Sequence, residues 1–475
     1  MIRTKRIALL LLTLAVAAPA QTKLASDSIP PARLQTYAEL AVSWMREYLQ
    51  IDTTNPPGNE MRAAAWLKKI LDEEGIENRV FEYAPGRGDV WARIAATSAE
   101  KKRPIILLSH EDVVTSDAAR WKFPPFSAAV SDGVMYGRGA QDMKGEGLAH
   151  LVAMVMLKRE KVPLDRDVIF LATADEEVDG TGTDWMIAHE RDLLGNAEFL
   201  ITEGGENPLE NGKATFVGVD VAEKAPFWLH LVAQGRPGHG SRPIPDSAPD
   251  RLVRALQRLI EYKTELKVLP VSEQFLAAMA AYEPPARARQ YRHLRQAVRD
   301  QQFQQEVEQD ASLNSMLRNT ISLTMLGGSQ QTNVIPGEAW ANLDVRLLPG
   351  EEPRQFLELV RRIVADDKVS IEPLKPFKKS NASPIDTPLM SAIRGVCARY
   401  FPGTPVAPRL TGGYTENERF RQLGVVSYGF SPYTATPDEG ASEHGDNERI
   451  RIEELRRGFR VMYDVVVQLA AAAHE

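Results

Sequence analysis

The sequence predicts an α/β protein: a mostly parallel sheet covered by helices on both faces, interrupted by an inserted two-layer α+β unit. Three observations lead there. Short apolar runs alternate with helical patterns over residues 32–215 and again over 377–475, as parallel strands joined by crossover helices do. Between those stretches the strands alternate in polarity, as in a sheet with one face in water. Several apolar runs also stop abruptly at acids or histidines, and ligands of open α/β sheets sit just beyond the carboxyl ends of the strands.

Composition bounds the rest. The 475 residues have room for two or three domains, and 43% hydrophobic with 25% charged residues is a globular composition. Arg3, Lys5 and Arg6 precede a short apolar run, Ile7 to Ala18, and Ala18-Pro19-Ala20 offers small residues for cleavage. Residues 1–20 therefore read as a secretory signal peptide, with a retained N-terminal anchor as the alternative. Cleavage would remove three bases and no acids, taking the formal charge from −7 to −10. Such a chain has no overall charge for nucleic acid or anionic membranes. Cys397 is the single cysteine, so neither an intrachain disulfide nor a thiolate cluster can form, and any metal must be held by His and carboxylates.

Taken in order, Leu34 to Leu49 and Met61 to Leu71 have amphipathic helical spacing. Val90 to Ala95 and Ile105 to Leu108 read as strands, the second apolar on both faces and so central; it runs into Ser109-His110-Glu111-Asp112. A glycine-punctuated loop, Gly133 to Gly147, precedes a helix whose stripe is Leu148, Leu151, Val152, Val155 and Met156. Val168 to Ala174 is a buried strand ending at Asp175-Glu176-Glu177; a helix near Trp185 to Leu193 and a strand Phe199 to Thr202 follow, the latter ending at Glu203. Residues 216–376 form the insert: a strand Phe227 to Val232, a helix carrying Leu252, Val253, Leu256, Leu259 and Ile260, strands Thr320 to Leu326 and Ala339 to Leu347, and a helix Pro353 to Ala365. Within it, 264–318 is a polar, helix-prone addition. The α/β texture then resumes with a helix Pro388 to Tyr400, a strand Val425 to Phe430, the loop Ser442 to Glu448 and a final helix.

Parallel neighbours place their carboxyl ends along one edge, so His110, Asp112, Glu176, Glu177 and Glu203 can converge there, joined by Asp142 from the glycine loop and His444 from the last loop. Two imidazoles and several carboxylates suit zinc, or cobalt or manganese. One metal needs only three or four such groups; the surplus suggests two metals sharing a bridging carboxylate. Of Glu176 and Glu177, one can bind metal while the other takes a proton from water, and the residues alone do not say which.

His110-Glu111-Asp112, Gly139-Ala140-Gln141-Asp142-Met143-Lys144-Gly145, Asp175-Glu176-Glu177, Thr202-Glu203-Gly204-Gly205 and Glu443-His444-Gly445 occur in one order along the chain. That order and spacing resemble the co-catalytic zinc hydrolases, the family of carboxypeptidase G, aminoacylase-1, carboxypeptidase S and succinyl-diaminopimelate desuccinylase. The resemblance spans nearly the whole mature chain and implies that the insert is a lid or dimerisation domain. It implies two zinc ions: one on His110, Asp142 and Glu203, the other on Asp142, Glu177 and His444. Glu176 would be the general base, and Asp112 would orient His110 through its second ring nitrogen. A glutamate at Glu203 accompanies aminoacylase and carboxypeptidase activity in that family more than aminopeptidase activity.

The resemblance extends to the insert. His239, within Gly238-His239-Gly240-Ser241, would donate to the oxyanion, often from a partner subunit. Asn333 and Arg346 would hold substrate, Arg346 by a bidentate pair with a free carboxylate. Gly413 lies in a segment like the family's substrate loop, although Tyr414, Thr415 and Glu416 stand where the family carries an Asp. His150, His189, His230, His293 and His474 lie outside every motif and read as structural. The expectation is a secreted, periplasmic metallohydrolase that cleaves a peptide or N-acyl amide bond next to a free carboxylate, with small peptides or N-acyl amino acids as substrates. Its assembly is either a homodimer through the insert or, where the added 264–318 segment takes the place of that contact, a monomer. A dipeptidase or aminopeptidase is the alternative, and a non-catalytic binding protein on the same scaffold a distant one.

Overall fold

The computed structural model describes residues 24–377 and 379–472. The expected signal peptide and His474 lie outside the described residues. Among the described residues no helix is long and apolar enough to cross a membrane.

An eight-stranded sheet forms the centre, in the order Glu77–Ala84, Arg87–Ile94, Arg166–Thr173, Lys102–His110, Phe199–Thr202, Val426–Gly429, Val217–Glu223, Val406–Thr411. Lys102–His110 runs parallel to both its neighbours, and Phe199–Thr202 parallel to Val426–Gly429. Antiparallel pairs follow on either side, and Val217–Glu223 then pairs in parallel with Val406–Thr411 at the edge. From Pro104 to His110, and throughout Phe199–Thr202, no side chain is exposed. That double-sided burial explains the continuous apolar runs, and it fixes the register that sets the strand ends in one row.

Helices cover both faces. Lys144–Arg159 is buried all round from Lys144 to Leu157, packed between Pro31–Leu49 and Ile452–Ala470, rather than along a single stripe as expected. It also starts inside the stretch expected to be loop, because Gly145 and Gly147 lower helix propensity there while tertiary packing overrides it.

The second sheet is antiparallel. Glu338–Leu347 sits between Thr320–Gly327 and Leu229–Gln234, with Val369–Pro373 outside the latter. Helices Ala248–Glu261 and Pro353–Val364 close one face with Leu252, Leu256, Leu259, Phe356 and Val360. Val253 and Ile260, expected on the buried stripe, are instead 59% and 62% exposed. The crossing between sheets also differs from expectation: Val217–Glu223 belongs to the central sheet, so the chain leaves it at Lys224 rather than at 216. Gly218, Asp220 and Ala222 interrupt its apolar residues, yet all seven residues of that strand are buried. The added segment forms five helices between Pro270 and Leu317 around a small core of Leu276, Leu294, Phe303, Val307 and Leu317.

Candidate active site

Three strand ends, at His110, Glu176–Glu177 and Glu203, and the loops of Asp142 and His444 build one cleft. Asp142 lies at its centre. One carboxylate oxygen is 2.9 Å from His110 Nε2, and the other is 2.8 Å from His444 Nε2. Glu203 Oε2 stands 3.3 Å from His110 Nε2, and Glu177 Oε2 is 3.2 Å from His444 Nε2. The donors thus fall into two groups, His110 with Glu203 and His444 with Glu177, joined by Asp142. Ligand atoms of His110, Asp142 and Glu177, and of His110, Glu176 and Glu203, also lie within 4.8 Å of one another. The shorter contacts through both histidines define the grouping used here.

The loops that carry Asp142 and His444 are locked together. Glu448, with no exposed surface, accepts from the backbone N–H of Gly139 at 2.8 Å, Gln141 at 2.7 Å and Asp142 at 3.1 Å, and from Arg138 Nη1 at 2.7 Å. Arg138 Nη2 in turn donates to the Gly445 carbonyl at 2.8 Å. Gly139 needs to be glycine: its φ is +86°, and a Cβ would meet Val113 Cγ1 at 2.7 Å. His444 itself adopts φ +54°, a left-handed conformation that non-glycine residues seldom take outside functional sites.

Asp112 is where the structure departs from the expected roles. Its carboxylate stands 3.6 Å from His110 Nδ1, and the ring nitrogen bonds the Asp112 backbone carbonyl at 3.0 Å instead. The carboxylate accepts from the N–H groups of Glu176 at 3.0 Å and Glu177 at 3.2 Å and from Asn55 Nδ2 at 2.8 Å. Asp112 therefore sets the turn that presents both glutamates, and its main chain sets the imidazole. Asn55 also donates to Asp175 at 2.9 Å, and Arg87 braces Asp175 at 2.7 Å. Asn55, Arg87 and Glu448 lie far from these partners in sequence, which is why sequence reading assigned them no role.

The matched region decides the lineage: residues 106–468 fit the model of peptidase family M20/M25/M40. The chain belongs to that family. It is 25% identical to aminoacylase-1 of Mus musculus over 438 residues, spanning 91% of this chain and 95% of that protein. It is 27% identical over 376 residues to the N-fatty-acyl-amino acid synthase/hydrolase PM20D1 of Homo sapiens, 77% of this chain and 74% of that one. Among solved structures it resembles the M20 family metallo-carboxypeptidase Sso-CP2 from Sulfolobus solfataricus with a TM-score of 0.69 at 19% identity, over 90% of this chain and 98% of that one, a likeness of fold. An M20 chain of this kind is a metallopeptidase or amidohydrolase.

The electrostatics of the M20 cleft fit metal cations. Its wall carries eight carboxylates, among them Asp142, Glu176, Glu177 and Glu203, and no lysine or arginine. Glu177 Oε1 is buried with no hydrogen-bond partner. Without cations the imidazoles take up the charge. The Asp142 and Glu177 carboxylates push His444 up to about 11. Burial would lower His110, but Glu203 and Asp142 carry it well above the imidazole range. Burial pushes Glu203 up to about 8 against the pull of His110, and burial and Glu203 together raise Glu176 well above the carboxylate range. Two divalent ions would replace those protons on the same donors.

The remaining expected residues divide. Gly413 lines the same cleft, beside Tyr414 and Thr415. Glu416, in the loop where the family's Asp was missed, turns inward: fully buried, it accepts from Thr173 Oγ1 at 2.9 Å and from Thr183 Oγ1 behind the strand that ends at Glu176. His239, Asn333 and Arg346 do not reach the cleft. His239 is exposed on a two-residue strand paired with Val334–Ile335, its Nδ1 bonded to Ser241. Asn333 abuts it, its carbonyl accepting from Gly240 N–H at 2.7 Å, and Arg346 is held by Asp344 at 2.9 Å. Of the histidines read as structural, His150 is fully buried and burial lowers it to about 3, so it is neutral in the core.

Proposed function

We propose that this M20 chain is a two-zinc hydrolase that cleaves a peptide or N-acyl amide bond beside a free carboxylate. The observation that carries it is Asp142, whose two oxygens face two histidines, each with its own glutamate. His110, Asp142 and Glu203 would hold one ion, and Asp142, Glu177 and His444 the other, with cobalt or manganese as possible substitutes. Bound there, the pair would acidify a water and polarise the scissile carbonyl. Glu176, the carboxylate left outside both groups, takes the proton from that water and delivers it to the leaving nitrogen. Asp112 keeps Glu176 in place by accepting from its backbone N–H.

His239 and Arg346 act, in this reading, from outside the cleft of their own chain. Thr320–Gly327 is an edge strand with Leu323, Met325 and Leu326 39%, 53% and 60% exposed, beside the exposed Val253 and Ile260. Apolar edges of this kind are covered by pairing, and a homodimer through this sheet would bring a second copy's His239 within the reach of an oxyanion. The basic segment and apolar run at the N-terminus support export to the periplasm.

One observation favours the dipeptidase or aminopeptidase reading: the cleft wall includes Glu146 and Glu443, acids suited to a free ammonium, whereas Arg346 is already paired. A panel of dipeptides and N-acyl amino acids, each with free and amidated carboxyl ends, separates the two with zinc-loaded protein. Chelator-sensitive cleavage of the free acids alone supports the carboxylate anchor, and Arg346→Ala should then raise KM only for those substrates. Cleavage that tolerates amidation but needs a free amine replaces it with the ammonium anchor.

A further inference from the structure

The added helical segment contains a second cavity, of about 570 Å3, which shares no lining residue with the metal cleft. Lys263, Arg299 and Arg318 contribute bases to its wall, and Leu266, Val268 and Val298 contribute aliphatic surface. Arg295 lines it too but is engaged by Glu273 at 2.8 Å. Arg318 is the anomaly. Its side chain is 6% exposed, and the nearest acid, Glu308, is 3.9 Å away, beyond hydrogen-bond reach. Its Nε is buried with no partner, and among the described residues the guanidinium makes no hydrogen bond. Lys263 and Arg299 likewise form no ion pair among the described residues.

A guanidinium Nε withdrawn from water without an acceptor is costly, and the chain tolerates one here at a fixed position. The Arg318 carbonyl accepts from the buried Lys224 Nζ at 2.9 Å, and the next residue, Asn319, bonds Leu348 N–H and Glu351. The backbone behind the guanidinium is therefore held, and its planar fork of donors is set for a carboxylate or phosphate before either arrives. Glu265 and Glu308 on the same wall penalise each additional negative charge on a ligand, which favours a monoanion. The aliphatic residues favour one with an apolar body. We infer that this cavity binds a small monoanionic carboxylate with an apolar tail, gripped by Arg318 and supported by Arg299 and Lys263.

The test uses the full mature chain stripped of metal, so that carboxylates have no ions to bind in the cleft, with hexanoate as probe and inorganic phosphate as comparator. Calorimetry should show one hexanoate site, phosphate binding more weakly, and Arg318→Met weakening hexanoate by about tenfold or more. Unliganded Arg318→Met should be at least as heat-stable as wild type, since it removes an unpaired buried charge. If that variant does not fold, the exposed pair Lys263→Gln and Arg299→Gln serves instead and should weaken hexanoate several-fold. No hexanoate binding at about 10 mM, or equal affinity in wild type and variant, overturns the site. Phosphate binding as tightly as hexanoate overturns its assignment to a monoanion.

Discussion

Two histidines beside glycines lie far apart along the chain, His239 on a two-residue strand of the insert and His444 in the final loop, and they end in different situations. His444 lies 2.8 Å from Asp142, while His239 faces solvent with only Ser241 for company. The contrast concerns what holds a residue in place. The loop of His444 is tied by Arg138 and Glu448 to the loop of Asp142, and both rest on a sheet whose parallel register is fixed by burial on two faces. His239 belongs to a two-stranded ribbon apart from both large sheets, so its distance from the cleft depends on how whole layers or whole subunits meet. A local pattern can specify the first kind of position; only assembly can specify the second.

Four experiments press on that contrast. The largest effect belongs to the fixed region: Glu176→Gln should lower kcat about 10²–10⁴-fold with metal content unchanged, and a loss smaller than tenfold would remove Glu176 from the proton relay. Next comes the assembled region. His239→Ala should lower kcat about 10²–10³-fold if the ring meets an oxyanion. Mixing it with Glu176→Gln should then restore about a quarter of wild-type activity through hybrid dimers that hold one intact site. A mixture no more active than its parts would confine His239 to its own chain. Glu448→Ala should cost about 3–5 kcal/mol by leaving Arg138 buried and unpaired, and it should weaken metal about 10–100-fold; urea unfolding and chelator competition would read the two separately. Unchanged metal affinity would make the clamp purely structural.

The smallest effect is one of pH. Without metal, Glu203 is raised from 4.5 to about 8 and His444 from 6.5 to about 11, so the folded chain holds more protons than the unfolded one. Stability from both groups is present at low pH and is lost as pH rises, first toward 8 and then toward 11. Metal takes the place of those protons, so the loaded enzyme should show a flatter slope. Urea midpoints at several pH values with and without chelator would test this, and parallel slopes would mean that the ions bind elsewhere.

Much of this was legible in sequence, and the gaps have physical causes. Apolar runs that stop at His110, Asp175 and Glu203 point to one sheet edge because parallel neighbours set their carboxyl ends side by side. The strand Glu77–Ala84 was not foreseen: Glu77, Arg79 and Glu82 line an outer strand that water covers. Val406–Thr411 hid behind Pro408, which an edge strand tolerates and a central one does not. The bonds of Asp112 are hidden from the sequence because a carboxylate two residues from a histidine can as easily accept from backbone N–H groups, and the neighbouring turn of Glu176 and Glu177 supplies two of them.

The clamp of Glu448 on Gly139 spans 309 positions of chain. A chain still emerging from the ribosome can complete the strands that end at His110, Glu176 and Glu203 long before Glu448 exists. The loop of Asp142 stays unbraced until nearly the whole polypeptide has been made. If Asp142 is shared by two ions as proposed, that ligand is the last part of the centre to be secured, and a product truncated before residue 448 would lack both its brace and the helix Ile452–Ala470 that packs on Lys144–Arg159.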